Sequence, residues 1–195
     1  MFFLVRHAAH ELVDRVLCGR MAGVKLGEEG RAQARRVAQR LARERIAAIH
    51  TSPLERARET AEPIGKRLDL VPEISEAINE IDVGDWAGRD FASLQGDARW
   101  ASWNNARNVM RPPGGETMLE VQARVVGLME WVRGAHPDQA VVLVSHGDVI
   151  KAALLYCLGM PIDGYRLFDI SPASISTLVI GDWGAKVLSL NEVPA

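Results

Sequence analysis

Apolar and polar positions along the chain change period at intervals, and those intervals predict alternating strands and helices. Residues 2–6 are apolar up to Arg6 and read as a buried strand. Residues 8–26 have no period and several glycines, which predicts a loop. From Glu28 onward, Ala34, Val37, Ala38 and Leu41 recur at i, i+3, i+4 and i+7, the stripe of an amphipathic helix. Ile46 to His50 reads as a second strand. Ser52-Pro53-Leu54-Glu55 reads as a helix start, with Ser52 as N-cap, Pro53 in the first turn and Glu55 completing a capping box. That helix is expected to reach about Leu68, and Leu70 to Ile74 is expected to form a third strand.

The pattern loosens over residues 79–113, where only a short helix near 98–106 is expected. It resumes with a second capping box, Thr117 and Glu120, followed by Met118, Val121, Val125, Leu128 and Val132 on one helical face. Ala140 to Ser145 is an unbroken apolar strand, as expected in a sheet covered on both sides. A helix over Asp148 to Leu158 is stopped by Gly159 and Pro161. Ser174 to Ile180 and Lys186 to Leu190 read as strands joined around Asp182-Trp183-Gly184. The order is largely β-α-β-α-β with a late hairpin. It predicts an α/β fold of three layers (α/β/α), a mostly parallel sheet with helices on both faces and an antiparallel addition at the end.

With 195 residues, 48% of them apolar, the expected organisation is one domain over 1–195 with an irregular, lid-like insertion around 82–113. A formal charge of −2 argues against nucleic acid or a membrane surface as a general partner. The arginines from Arg31 to Arg45 read as a solvated helix face. Two cysteines, Cys18 and Cys157, form no CxxC motif, which suits a reducing, cytoplasmic setting, and Cys157 reads as core. No stretch is long and apolar enough to span a bilayer.

The chemistry gathers where strands end. Leu4-Val5-Arg6-His7 and Val144-Ser145-His146-Gly147 are apolar runs that stop at a histidine. In an open α/β sheet such ends share the carboxyl edge, where helix N-termini add backbone donors. Arg56, in the first turn of the predicted second helix, falls on the same edge. Arginine suits phosphate because its forked donors never deprotonate. One histidine can attack phosphorus while the other stabilises charge, with no metal. The departing oxygen needs a proton. Glu80 is chosen as its donor because it lies nearest the preceding strand, though spacing alone does not separate it from Asp82 and Asp85.

These motifs resemble the histidine phosphatase superfamily, the phosphoglycerate-mutase-like fold. Leu4 to His7 resembles its opening signature, Ser52 to Ala61 its second-arginine helix, and Glu80 to Gly88 its acid-donor segment. Pro113 to Glu116 and Ser145 to Gly147 are similar to its later motifs, so the resemblance spans nearly the whole chain in order. It implies a phosphatase with no cofactor and a small phosphorylated metabolite as partner, and leaves room for a homodimer. By this resemblance His7 accepts the phosphoryl group and Glu80 donates the proton. Arg6, Arg56 and His146 hold the phosphate, with Gly147, Arg20 and His10 as further candidates for phosphate or substrate contacts.

The chain departs from the family where Ala8, Ala9 and His10 replace the usual glycine, glutamate and threonine, and where no asparagine occurs between Arg6 and Ile78. Cys18 to Val24 resembles a bacterial branch labelled phosphatase or phosphomutase. A mutase is the alternative, though the segment 82–113 is short and offers only Arg89, Arg99, Arg107 and Arg111 as extra cations. An inactive phospho-ligand or protein-binding module is the third reading. His7-x-x-His10 lacks a third ligand and is not read as a metal pair. His50 and His136 are expected to face solvent. Trp86 is expected to pack the acid-donor segment. Trp100 and Trp103, at helical spacing, are expected in the core, with a lid, substrate wall or dimer contact as alternatives. Glu116 is expected to orient pocket groups or to cap the next helix.

Overall fold

The computed structural model describes all of Met1–Ala195. β1 (Phe2–Arg6) lies near the middle of a six-stranded sheet. It is followed by α1 (Glu28–Leu41), β2 (Ile46–Thr51), α2 (Glu55–Leu68) and β3 (Glu73–Ile74). Two short helices, α3 (Phe91–Leu94) and α4 (Ala98–Asn105), precede α5 (Met118–Ala135). β4 (Ala140–Ser145), α6 (Gly147–Cys157) and the hairpin β5 (Ile175–Gly181) and β6 (Gly184–Glu192) complete the chain. The strand order is β3-β2-β4-β1-β5-β6. The first four strands are parallel and the last two antiparallel.

Alternation within the strands builds two cores. Phe3, Val5, Ile49, Val142 and Val144 point to one face and pack with Ala34, Val37, Leu41, Ala61 and Ile64 of α1 and α2. Phe2, Leu4, Val141 and Leu143 point to the other and meet Val121, Val125, Met129 and Leu154 of α5 and α6. The apolar run in β4 is therefore a strand covered twice, as its sequence implies. Trp86 and Trp103, each 1% exposed, form an aromatic cluster with Trp100 that secures the 84–105 region to the second core.

Several expectations shift. The third strand is only Glu73–Ile74: Asp69 turns left-handed and the Leu70 N–H donates to Gly65 O, so this stretch closes α2 instead of entering the sheet. Ser52 does not cap α2. Leu54 stands at the N-cap, and the Glu55 carboxylate accepts from Gly23 N–H. On α5 the buried position is Met129, with Leu128 at the margin. α6 starts at Gly147, one residue early. His50 is buried at 3% exposure, because it faces α5 and lies edge-on to Trp131. The Thr117–Glu120 capping box forms in full.

The segment carrying Glu80 has no strand to hold it and is strapped in place. Asp85 N–H donates to Pro113 O at 2.9 Å, and Glu116 N–H donates to Asp82 O at 2.8 Å. Gly84 makes the crossing possible. Its φ is +52°, and a Cβ there would lie 2.0 Å from Pro113 O. Gly84→Ala should therefore cost about 2–3 kcal/mol in urea unfolding. A loss below about 0.5 kcal/mol would show that the strap yields freely.

Candidate active site

Sheet register assembles the site. β4 lies between β1 and β2, with Arg6 opposite Ser145 and Thr51 opposite Val144. Past the strand ends, His7 N–H donates to Ser145 O at 2.8 Å and Ser52 N–H to Val144 O at 3.0 Å. Arg6, His7, Ser52 and His146 thus meet at one edge, and the rings of His7 and His146 are 5.1 Å apart. α2 then brings Arg56 in from its first turn.

The stretch after His7 is fixed from both neighbouring helices. Ala8 N–H donates to Thr60 Oγ1 at 3.0 Å, and Ala9 N–H to Gln33 Oε1 at 2.9 Å. His7 Nδ1 lies 2.9 Å from Ala8 O, which can only accept. That contact places the ring proton on Nδ1 and leaves a lone pair on Nε2. Burial, then Arg56 and Arg6, hold the His7 pKa well below the ordinary histidine value, so the ring is neutral near pH 7.

Both guanidiniums keep donors in reserve. Arg56 is 1% exposed and gives Nη2 to Gly19 O at 2.7 Å, while its Nε and Nη1 are buried without partners. Arg6 gives Nη1 to Ile170 O, and its Nε is buried and unpartnered. Buried donors at fixed forked geometry suit a tetrahedral oxyanion. Gly147 opens α6 against them, and a Cβ there would meet Arg6 Nε at 3.5 Å.

Glu80 supplies the opposite chemistry. Its side chain is 15% exposed; Oε1 accepts from Ile81 N–H at 2.9 Å and Oε2 stands 3.7 Å from His146 Nδ1. Burial and then Asp148 push its pKa up to about 7, against the pull of Arg56 and Arg6. Its backbone is braced from three sides. Ser145 Oγ donates to Ile78 O at 2.8 Å, Arg20 Nε to Glu80 O at 2.8 Å, and Arg124 Nη1 to Ala77 O at 2.8 Å. Glu116 bridges the two arginines, accepting from Arg20 at 3.0 Å and from Arg124 at 2.8 Å. The arrangement can therefore hold a phosphate, attack it with a neutral imidazole and protonate what departs.

The pocket has a volume of about 230 Å³. Arg6, His7, His10, Arg56, Glu80 and Gly147 line it, and Val13, Val16, Leu17 and Phe91 form an apolar wall. A larger cleft of about 780 Å³ runs along α2 past Lys25, Arg58 and Glu62, but it holds none of these groups. Arg20 does not line the pocket; it braces Glu80 and Glu116 from behind. His10 stacks on His7 with ring centroids 5.3 Å apart. Burial, Arg56 and Arg6 push its pKa down to about 4, so it faces the pocket as a neutral ring, not a cation. Asp82 pairs loosely with Arg20 at 3.9 Å and accepts from Gly84 N–H at Oδ1, and neither Asp82 nor Asp85 lines the pocket.

Sequence reasoning missed four participants. Ser52, absorbed into a capping rule, places its Oγ 2.7 Å from His146 Nε2. Asp148 lines the pocket directly after the Ser-His-Gly motif, and adjacency to that motif was its only signal. Arg107 grips Asp148 at 2.9 Å while its guanidinium lies between the rings of Trp103 and Tyr165, at 3.8 and 3.7 Å. Arg124 reaches the site from α5, and nothing near it in sequence marks that role.

The family model for the histidine phosphatase superfamily (branch 1) matches residues 2–193. Phosphoserine phosphatase 1 of Hydrogenobacter thermophilus is 33% identical over 195 residues, covering 96% of this chain and 90% of that protein. Glucosyl-3-phosphoglycerate phosphatase of Mycobacterium tuberculosis is 32% identical over 187 residues, covering 89% and 83%. The native structure of a mycobacterial glucosyl-3-phosphoglycerate phosphatase superposes with a TM-score of 0.89 at 27% identity, covering 98% of each chain.

The raised pKa of Glu80 has a consequence for stability. A carboxyl that titrates near 4.5 unfolded and about 7 folded adds stability that is full below about 4.5 and is lost as pH rises through about 7. Between pH 5 and pH 8 the wild type should lose on the order of 2–3 kcal/mol more than Glu80→Gln in urea unfolding. Equal losses in the two proteins would place the Glu80 pKa near its ordinary value.

Proposed function

This chain belongs to the histidine phosphatase superfamily, and from that premise we propose that it hydrolyses a small phosphomonoester in two steps through a phosphohistidine on His7. Nε2 of neutral His7 attacks phosphorus. As the P–O bond breaks, Glu80 gives its proton to the leaving oxygen. The Glu80 carboxylate then takes a proton from water as that water attacks the phosphohistidine. The P–N bond breaks, its electron pair returns to Nε2, and phosphate leaves. Arg6, Arg56 and His146 hold the non-bridging oxygens through both steps, and the first N–H groups of α6 at Gly147 add to the positive field.

The observation that carries this reading is the opposite displacement of two groups in one pocket. His7 is held neutral, while Glu80, pushed up to about 7, keeps a large protonated fraction near pH 7, and these are the states that the first step requires. The named relatives act on small phosphorylated substrates, and a pocket of about 230 Å³ suits a leaving group of that kind.

The test is a phosphomonoester panel run with and without chelator. His7→Ala should lower kcat roughly a thousandfold or more. Glu80→Gln should cost about 10²–10³, and more for alkyl phosphates than for p-nitrophenyl phosphate, whose leaving group needs no proton. Because the protonated acid is the working form, wild-type kcat/KM for alkyl phosphates should fall as pH rises through about 7, and Glu80→Gln should lack that limb. Full activity in His7→Ala would end the proposal.

A further inference from the structure

Ser52 and His146 are both buried, at 0% exposure, and their side chains meet at 2.7 Å across a sequence separation of 94. The contact is set by the sheet. Ser52 N–H bonds Val144 O, two residues before His146, so the hydroxyl and the ring are delivered by neighbouring strand ends. Ser52 Oγ also receives Leu54 N–H at 3.4 Å. The hydroxyl hydrogen then has one acceptor within reach, His146 Nε2.

His146 has two possible neutral forms. With its hydrogen on Nε2, the ring would compete with the Ser52 hydroxyl for one contact and leave that hydroxyl without an acceptor. With its hydrogen on Nδ1, Ser52 O–H donates to Nε2, and the Nδ1–H faces the acid. Nδ1 is buried and otherwise without a partner. A protonated ring would satisfy neither the hydroxyl donor nor the two guanidiniums beside it.

We propose that Ser52 is a positioning residue whose hydroxyl donates to His146 Nε2, so that His146 works as an uncharged ring with its proton on Nδ1, on the side of Glu80. The inference rests on the reading of His7 and His146 given above, and it adds one part to it: the stabilising histidine is a neutral donor. Burial, with His7, Arg56 and Arg6 close by, holds the His146 pKa well below the ordinary value, in agreement.

Nitrogen-15 NMR of the full-length protein at pH 7 decides the matter, since proton-bearing and bare ring nitrogens resonate far apart. The His146 signals are identified by their loss in His146→Gln. The expected result is a proton on Nδ1 and a bare, hydrogen-bonded Nε2. Ser52→Ala should abolish the preference for that form and lower kcat about 10- to 100-fold, with weaker inhibition by vanadate, a phosphate-shaped anion. Ser52→Thr, which keeps the hydroxyl, should recover part of the loss. A proton on Nε2, or on both nitrogens, in the wild type overturns the proposal, as does unchanged kcat in Ser52→Ala. The wild-type spectrum decides even if Ser52→Ala does not fold. Full activity in His7→Ala would defeat the catalytic reading, while the tautomer of the resting protein would still be read independently.

Discussion

Two guanidinium ions with buried donors and too few acceptors govern this structure. Arg56 has one carbonyl for its buried fork and Arg6 has one for its own. An incompletely paired buried cation is costly, and the protein reduces that cost by keeping every imidazole beside it uncharged. His7, His10 and His146 are all driven down by burial and by these same two arginines. Glu80 feels the arginines in the other direction, but burial and Asp148 outweigh them. Burial and these two arginines thus act together on three histidines, and burial with Asp148 sets Glu80 against them.

Such a site exists only because the surrounding scaffold tolerates no slack. β4 supplies the common reference. Its Ser145 carbonyl receives His7, its Ser145 hydroxyl holds Ile78, and its Val144 carbonyl receives Ser52. Nucleophile candidate, acid segment and second histidine are therefore registered to two consecutive residues of one doubly covered strand. The more distant braces act on the same segment. Arg20 and Arg124 hold backbone carbonyls at and just before Glu80, and Glu116 keeps the two like charges apart but aligned.

Much of this was legible in the sequence because it follows from period and position. The apolar runs ending at His7 and His146 gave two central strands, and the stripe on α1 and the Thr117–Glu120 box gave two helices, since those signals are local. The failures are equally physical. Leu70 and Val71 look like strand, yet the backbone of Leu70 is needed to finish α2. Ser52 carries a capping signature, but its Oγ receives only Leu54 N–H, at 3.4 Å, and its shortest contact is a histidine 94 residues away. His50 read as exposed because burial depends on Trp131 of α5, which no local pattern connects to it. Arg20 lies 60 residues from Glu80 in sequence and serves the backbone there, not the pocket.

Charge balance bears on what the pocket accepts. With His7, His10 and His146 neutral and Glu80 protonated, the fixed charge around the proposed phosphate site is that of Arg6 and Arg56, which matches one phosphoryl dianion. Beyond it the rim carries Asp14, Asp148 and Asp169 against Lys151. Asp148 is already paired with Arg107, and Lys151 stands 3.6 Å from Asp169. No cation is left in surplus for a second phosphate, which a mutase must hold while its phosphohistidine waits. Water meets no such electrostatic obstacle at a rim of carboxylates. On the proposed reading, the two arginines that favour neutral histidines provide for one dianion, and that favours hydrolysis over transfer.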